Sequence, residues 1–108
     1  MDKSAAIKLI RKYLSALPNY GIHPKKAVLF GSYANGNPNE WSDIDLIVIA
    51  PEFDTSSMEI DLVKNLWLAN EAAGDRIEPI PCGEIEWETD DSRPILEIAR
   101  REGVVIAA

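Results

Sequence analysis

Two short stretches of this 108-residue chain carry side chains whose types and spacing could do chemistry: Gly31-Ser32 and, after ten intervening residues, Asp43-Ile44-Asp45. The aspartates open the run Asp43-Ile-Asp-Leu-Ile-Val-Ile-Ala50, whose branched apolar residues predict a buried strand. Alternate strand residues share a face, so the two carboxylates point the same way, roughly 7 Å apart at the backbone. Side by side they repel, and one titrates high unless a cation lies between them. Hard oxygen ligands suit Mg²⁺ or Mn²⁺ rather than zinc. A strand-borne pair can bridge two such ions, the arrangement that supports in-line phosphoryl or nucleotidyl transfer. Gly31-Ser32 follows a second apolar run, Lys26–Phe30. Glycine lets a ligand approach the backbone closely, and exposed N–H groups with the Ser32 hydroxyl can hold a phosphate. Taken singly, each stretch has an ordinary reading as turn chemistry beside a strand. The signal lies in their combination.

The elements that must position these residues follow from periodicity. Residues 4–17 read as a helix capped by Ser4, with Ile7, Ile10, Leu14 and Leu17 at helical spacing, stopped by Pro18-Asn19-Tyr20-Gly21. Residues 26–30 and 43–50 read as strands, and the stretch between them as turn and loop. Pro51 ends the second strand. Ser56-x-x-Glu59 has capping-box spacing and opens a helix to about Ala73, with Ile60, Val63, Leu66 and Trp67 on one side and Gly74 as its stop. Arg76–Pro81 is extended by its prolines and reads as an edge or final strand. Residues 83–91, with Glu84, Glu86, Glu88, Asp90 and Asp91 around Trp87, read as a solvated loop. A helix over Pro94–Arg101, stopped by Gly103, and a short strand Val104–Ile106 complete the order α-β-β-α-β-α-β. The expectation is one α/β (α+β) domain over residues 1–108, with a small mixed sheet flanked by helices.

Composition bounds the function classes. The apolar fraction of 46% and charged fraction of 27% are those of a globular chain. No apolar run approaches the roughly 20 residues of a membrane helix, and the charged N-terminus is unlike a signal peptide, so a cytoplasmic protein without membrane partners is expected. The single cysteine, Cys82, makes no internal disulfide and reads as a packed thiol. The net charge of −7 argues against general nucleic-acid binding. That charge is lopsided: residues 1–36 hold six basic groups and one acid, net +5, and residues 37–108 hold five and seventeen, net −12. An anionic ligand is therefore handled by the first third or through a metal cation. His23 reads as a surface residue, Trp67 as core, Trp41 as a base-stacking or sheet-capping residue, and Trp87 as a partner contact.

Gly31-Ser32-x-Ala34-x-Gly36 followed by Ser42-Asp43-Ile44-Asp45-Leu46 resembles the signature of the polymerase-beta nucleotidyltransferase superfamily. The best likeness is to the minimal, stand-alone (MNT-type) group, distantly related to kanamycin nucleotidyltransferase, and it covers nearly the whole chain. The resemblance implies a polymerase-beta-like fold and a two-metal nucleotidyl transfer. Asp43 and Asp45 would hold both Mg²⁺ ions, Gly31 and Ser32 would bind the β- and γ-phosphates of a nucleoside triphosphate such as ATP, and Glu78 would supply a third metal-ligating carboxylate. Relatives more often carry aspartate at the third position, and many carry arginine just after the Gly-Ser or two residues later. This chain has Tyr33 and Asn35 there, and Lys25, Lys26 and Arg76 are the basic residues available to compensate.

The resemblance further implies transfer of AMP to an acceptor hydroxyl on a small helical HEPN-type partner, as in toxin–antitoxin pairs whose transferase adenylylates a toxin tyrosine. A second reading is an antitoxin-like binding module that acts by complex formation, with slow or absent catalysis. A phosphatase using Asp43 as nucleophile fits poorly, because the chain lacks the threonine expected after the second aspartate and a convincing downstream lysine motif.

Overall fold

The computed structural model describes residues 2–34, 43–54, 60–90 and 92–108. Helix α1 spans Lys3–Ala16, and its cap is Asp2 rather than Ser4: the carboxylate accepts the Ala5 N–H at 2.8 Å. A tight turn over Leu17–Tyr20 follows and ends at Gly21, whose φ of +81° suits glycine. Strand β1 (Lys26–Phe30) and strand β2 (Ile44–Ile49) lie where the branched runs predict them. Helix α2 spans Ile60–Leu68 and tightens over Ala69–Ala73 before the left-handed Gly74. The expected capping box at Ser56 and Glu59 lies outside the described residues. Strand β3 (Ile77–Cys82) is followed by α3 (Glu84–Thr89), α4 (Pro94–Glu102) and β4 (Val104–Ala107).

Helix α3 corrects the expectation of a solvated loop at 83–91. Three of its first N–H groups, on Glu84, Ile85 and Glu86, are received by the Asp54 carboxylate at 2.9–3.4 Å. A side chain thirty residues upstream thus supplies the cap that the segment itself lacks. Trp87 is correspondingly not a partner contact. It is 9% exposed, packed against the sheet, with the Arg100 guanidinium 4.9 Å and the Lys26 ammonium 5.9 Å from its ring centre. Trp67 departs from expectation in the other direction. Leu66 takes the core position, and Trp67, turned about 100° further round the helix, is 49% exposed.

The four strands form one mixed sheet in the order β3-β2-β1-β4. Strand β1 is antiparallel to β2 and β4, while β2 and β3 run parallel. The prolines of β3 are tolerated because it is an edge strand. Strand alternation gives the sheet two covered faces. Ala27, Leu29, Ile44, Leu46 and Val48 meet Ile10, Tyr13 and Leu14 of α1 and Leu66 of α2. Val28, Ile47, Ile49 and Cys82 meet Trp87 of α3 with Leu96 and Ala99 of α4. Burial of each such Leu or Ile contributes about 1.5–3 kcal/mol, so both faces are strongly held in register. This is the α+β architecture expected, with one more helix than the sequence predicts.

Candidate functional site

Asp45 shares a face with Ile47 and Ile49, but it lies towards the end of β2 that α3 and α4 leave open. The parallel register places Glu78 of β3 directly beside it. The two carboxyl groups stand side by side in that register, close enough to influence each other's ionisation. Partial burial, the adjacent Glu78 carboxyl and the charge of Asp43 push the Asp45 carboxyl up to about 6. Asp43 is exposed and acts on Asp45 through its charge. Among the described residues, no three His, Cys, Asp or Glu side chains are gathered into a ready-made metal cage.

The Gly31–Tyr33 turn closes the site from the β1 side. Phe30 pairs with Asp45 across the sheet, so the chain leaves β1 beside that carboxylate. Gly31 has φ +75°, and a Cβ there would collide with Asp45 Oδ2 and stand 3.1 Å from its Cγ. Only glycine permits both this backbone conformation and this approach. The backbone of Ser32 lies in the same turn, whereas Asn35, Gly36, Trp41 and Ser42 lie outside the described residues.

Two residues that sequence reasoning did not place complete the surroundings. Asn70 is buried, and its amide bonds both the N–H and the carbonyl of Ile77, at 3.0 and 2.5 Å, which fixes the start of β3 one residue before Glu78. Nothing in its local sequence separates it from an ordinary helix-end polar residue. Arg76 is the one of the three candidate cations that reaches this end of the sheet: its Nη2 donates to the Tyr33 hydroxyl at 3.1 Å. Lys25 and Lys26 sit at the opposite end of β1, roughly 15 Å away along the strand.

The remaining candidates are structural. His23 is exposed and pairs with Glu52 at 2.9 Å. Cys82 is buried, with its thiol pushed up to about 12 chiefly by desolvation, so it makes a poor nucleophile.

A glycine turn set tightly against paired strand carboxylates is the frame on which comparison with known proteins bears. The model of a nucleotidyltransferase domain matches residues 7–102. The chain belongs to this nucleotidyltransferase family. Two proteins of Methanocaldococcus jannaschii, each named "putative protein adenylyltransferase", resemble it. One is 33% identical over 75 residues, covering 69% of this chain and 75% of the relative. The other is 41% identical over 63 residues, covering 56% of this chain and 60% of the relative. A crystal structure from Sulfolobus solfataricus, described as "a putative nucleotidyltransferase", superposes with a TM-score of 0.49 at 16% identity, over 95% of this chain and 77% of that one.

The donor set suits the hard divalent cation such a domain uses. Two carboxyl groups lie side by side across the β2–β3 register, and a cation between them would meet oxygen ligands only. No helix among the described residues is long and apolar enough to cross a membrane.

Proposed function

We propose that this nucleotidyltransferase domain transfers AMP from ATP to a hydroxyl group on a partner protein, with Mg²⁺ as its cofactor. The observation that carries the reading is the register of Asp45 with Glu78, set against the tight approach of Gly31 to Asp45. It joins a backbone turn able to hold phosphates to carboxylates able to hold metal. Asp43, Asp45 and Glu78 would be the metal ligands, and Gly31 and Ser32 would bind the distal phosphates. Two bound Mg²⁺ ions would supply Lewis-acid activation of the hydroxyl and neutralise charge on the phosphates. The acceptor oxygen attacks the α-phosphorus in line, the bond from that phosphorus to the β-phosphate oxygen breaks, and pyrophosphate leaves with the bonding pair. The hydroxyl proton passes to the Glu78 carboxylate, which is exposed and can release it to water.

The names of the two Methanocaldococcus jannaschii relatives support a protein acceptor. The resemblance to the minimal transferases points to a tyrosine of a small helical HEPN-type protein, in a toxin–antitoxin pair. The test is ATP titration with and without Mg²⁺, then incubation of α-labelled ATP with the co-purified partner. Label on the partner, lost in Asp43→Asn and Asp45→Asn, is the expected result. Metal-dependent ATP binding without transfer would reduce the protein to a binding module. Absence of ATP binding with Mg²⁺ present would overturn the nucleotide reading.

A further inference from the structure

Glu78 lies on an edge strand and its side chain is exposed, so packing does little to place its carboxyl group. Its position beside Asp45 depends on how the backbone of β3 is held. At one end of the β2–β3 pairing the Ile44 N–H donates to the Arg76 carbonyl at 2.9 Å, and at the other the Ala50 N–H donates to the Cys82 carbonyl at 3.1 Å. Strand alternation between these two bonds turns the peptide groups of Glu78 and Ile80 towards β2 as well. Ile77, Pro79 and Pro81 turn theirs outwards, and the two prolines bring no N–H to that side.

Ile77 alone of these three carries both backbone groups, and one side chain receives them. Asn70, in the Ala69–Ala73 turn that ends α2, is 3% exposed. Its Oδ1 accepts the Ile77 N–H at 3.0 Å and its Nδ2 donates to the Ile77 carbonyl. It stands in for a neighbouring strand at one residue. The carbonyl it holds belongs to the peptide bond that joins Ile77 to Glu78. The plane from which the Glu78 side chain departs is thus fixed by Asn70 on the outer side and by β2 on the inner. The Asn70 carbonyl also accepts the Asp75 N–H at 3.0 Å, which closes the turn leading into β3.

We propose that Asn70 is a positioning residue of the metal site, setting the Glu78 carboxyl against Asp45 by holding the peptide plane before it. The inference rests on the reading of Glu78 as a metal ligand given above. Mg²⁺ demands near-ideal placement of its oxygen ligands, and groups that orient a ligand are worth about 10–100-fold in metal affinity. Asn70 bonds the backbone rather than the carboxyl group, so its effect on a metal passes through Glu78. It also secures the start of an edge strand, where local opening is otherwise easiest.

The test is a double-mutant cycle on the full chain, read as Mn²⁺ affinity well below the melting temperature. Asn70→Ala removes both bonds to Ile77. It should lower affinity about tenfold or more in the parent and less than about twofold in Glu78→Gln, where the ligand it positions is already gone. Equal losses in the two backgrounds, or no loss in either, would overturn the role of Asn70 while leaving the transferase reading intact. Asp54→Ala weakens the fold beyond the far end of β3 and should leave affinity unchanged. A comparable loss there would mark a general effect of stability and overturn the role equally. Should Asn70→Ala fail to fold, Asn70→Asp, which keeps the shape and the acceptor for the Ile77 N–H, is put through the same cycle. Amide exchange in the parent needs no variant: the Ile77 N–H should be protected, and free exchange would overturn the clamp. A parent that binds no Mn²⁺ overturns the metal reading of the site and this inference together.

Discussion

Asp45 is ionised at a cost. Its carboxyl titrates near 6 in the folded chain, against about 3.9 for an ordinary aspartate. Between about pH 4 and pH 6 the folded state therefore holds a proton that the unfolded chain has released. Stability from this group is fully present below about pH 4 and is lost as pH rises through about 6. Asp45→Asn removes the charge and keeps a partner for Glu78. In metal-free melts it should be more stable than the parent at pH 8, with the advantage gone at pH 4, while Mg²⁺-dependent ATP binding disappears. A variant no more stable than the parent at pH 8 would contradict this account of the site. Gly31→Ala should act in the opposite sense on stability. Its backbone conformation and the collision with Asp45 Oδ2 should cost about 1–3 kcal/mol, read as a lower urea midpoint, and nucleotide binding should fall with it.

At the scale of elements, Asp54 and α3 form the contact to test. The six-residue helix is too short to persist on propensity alone. It depends on the Asp54 cap and on Trp87 in the core. Gly83 belongs to the same device, since a Cβ there would overlap the Asp54 carboxylate. Asp54→Ala should lower the urea midpoint by an amount worth about 0.5–2 kcal/mol with little change in slope, and leave ATP binding unaffected. Loss of ATP binding at unchanged stability would instead connect α3 to the site. The same element shows where sequence reading stops. Strands β1 and β2 and the Gly-Ser turn were legible because their signals are local: branched runs, alternation, glycine before a polar pair. Helix α3 was not, because its cap comes from residue 54 and its buried tryptophan lies between Glu86, engaged by Arg93, and the exposed Glu88. Asn70 and the Arg76–Tyr33 bond were hidden for the same reason, being contacts across 7 and 43 residues. Glu78 was legible only through family resemblance, and the parallel register that sets it beside Asp45 is a property of the sheet.

Over the whole molecule, the charge division along the chain carries into space only in part, since exposed Asp61 and Glu71 lie on the α1 side and exposed Arg101 lies on α4. Exposed Lys3, Lys8, Arg11 and Lys12 lie on α1 over one face of the sheet, and exposed Glu88, Glu97 and Glu102 lie on α3 and α4 over the other. At physiological ionic strength, charges more than about 8 Å apart are largely screened, so neither surface governs a ligand at the strand ends. Local groups decide, and three of these are carboxylates. ATP alone should therefore leave the melting temperature unchanged in EDTA, and added NaCl should not replace a divalent ion, because screening weakens repulsion without supplying coordination. With Mg²⁺, ATP at about 100 times its dissociation constant adds about 2.7 kcal/mol to a native state that alone binds it. For a domain of this size that is a rise on the order of 10 °C. The rise should grow with pH through about 6, as the Asp45 carboxyl loses its proton and becomes available to the cation. An equal rise in EDTA would mean that the protein's own donors hold the phosphates unaided, and would remove the metal from the binding step.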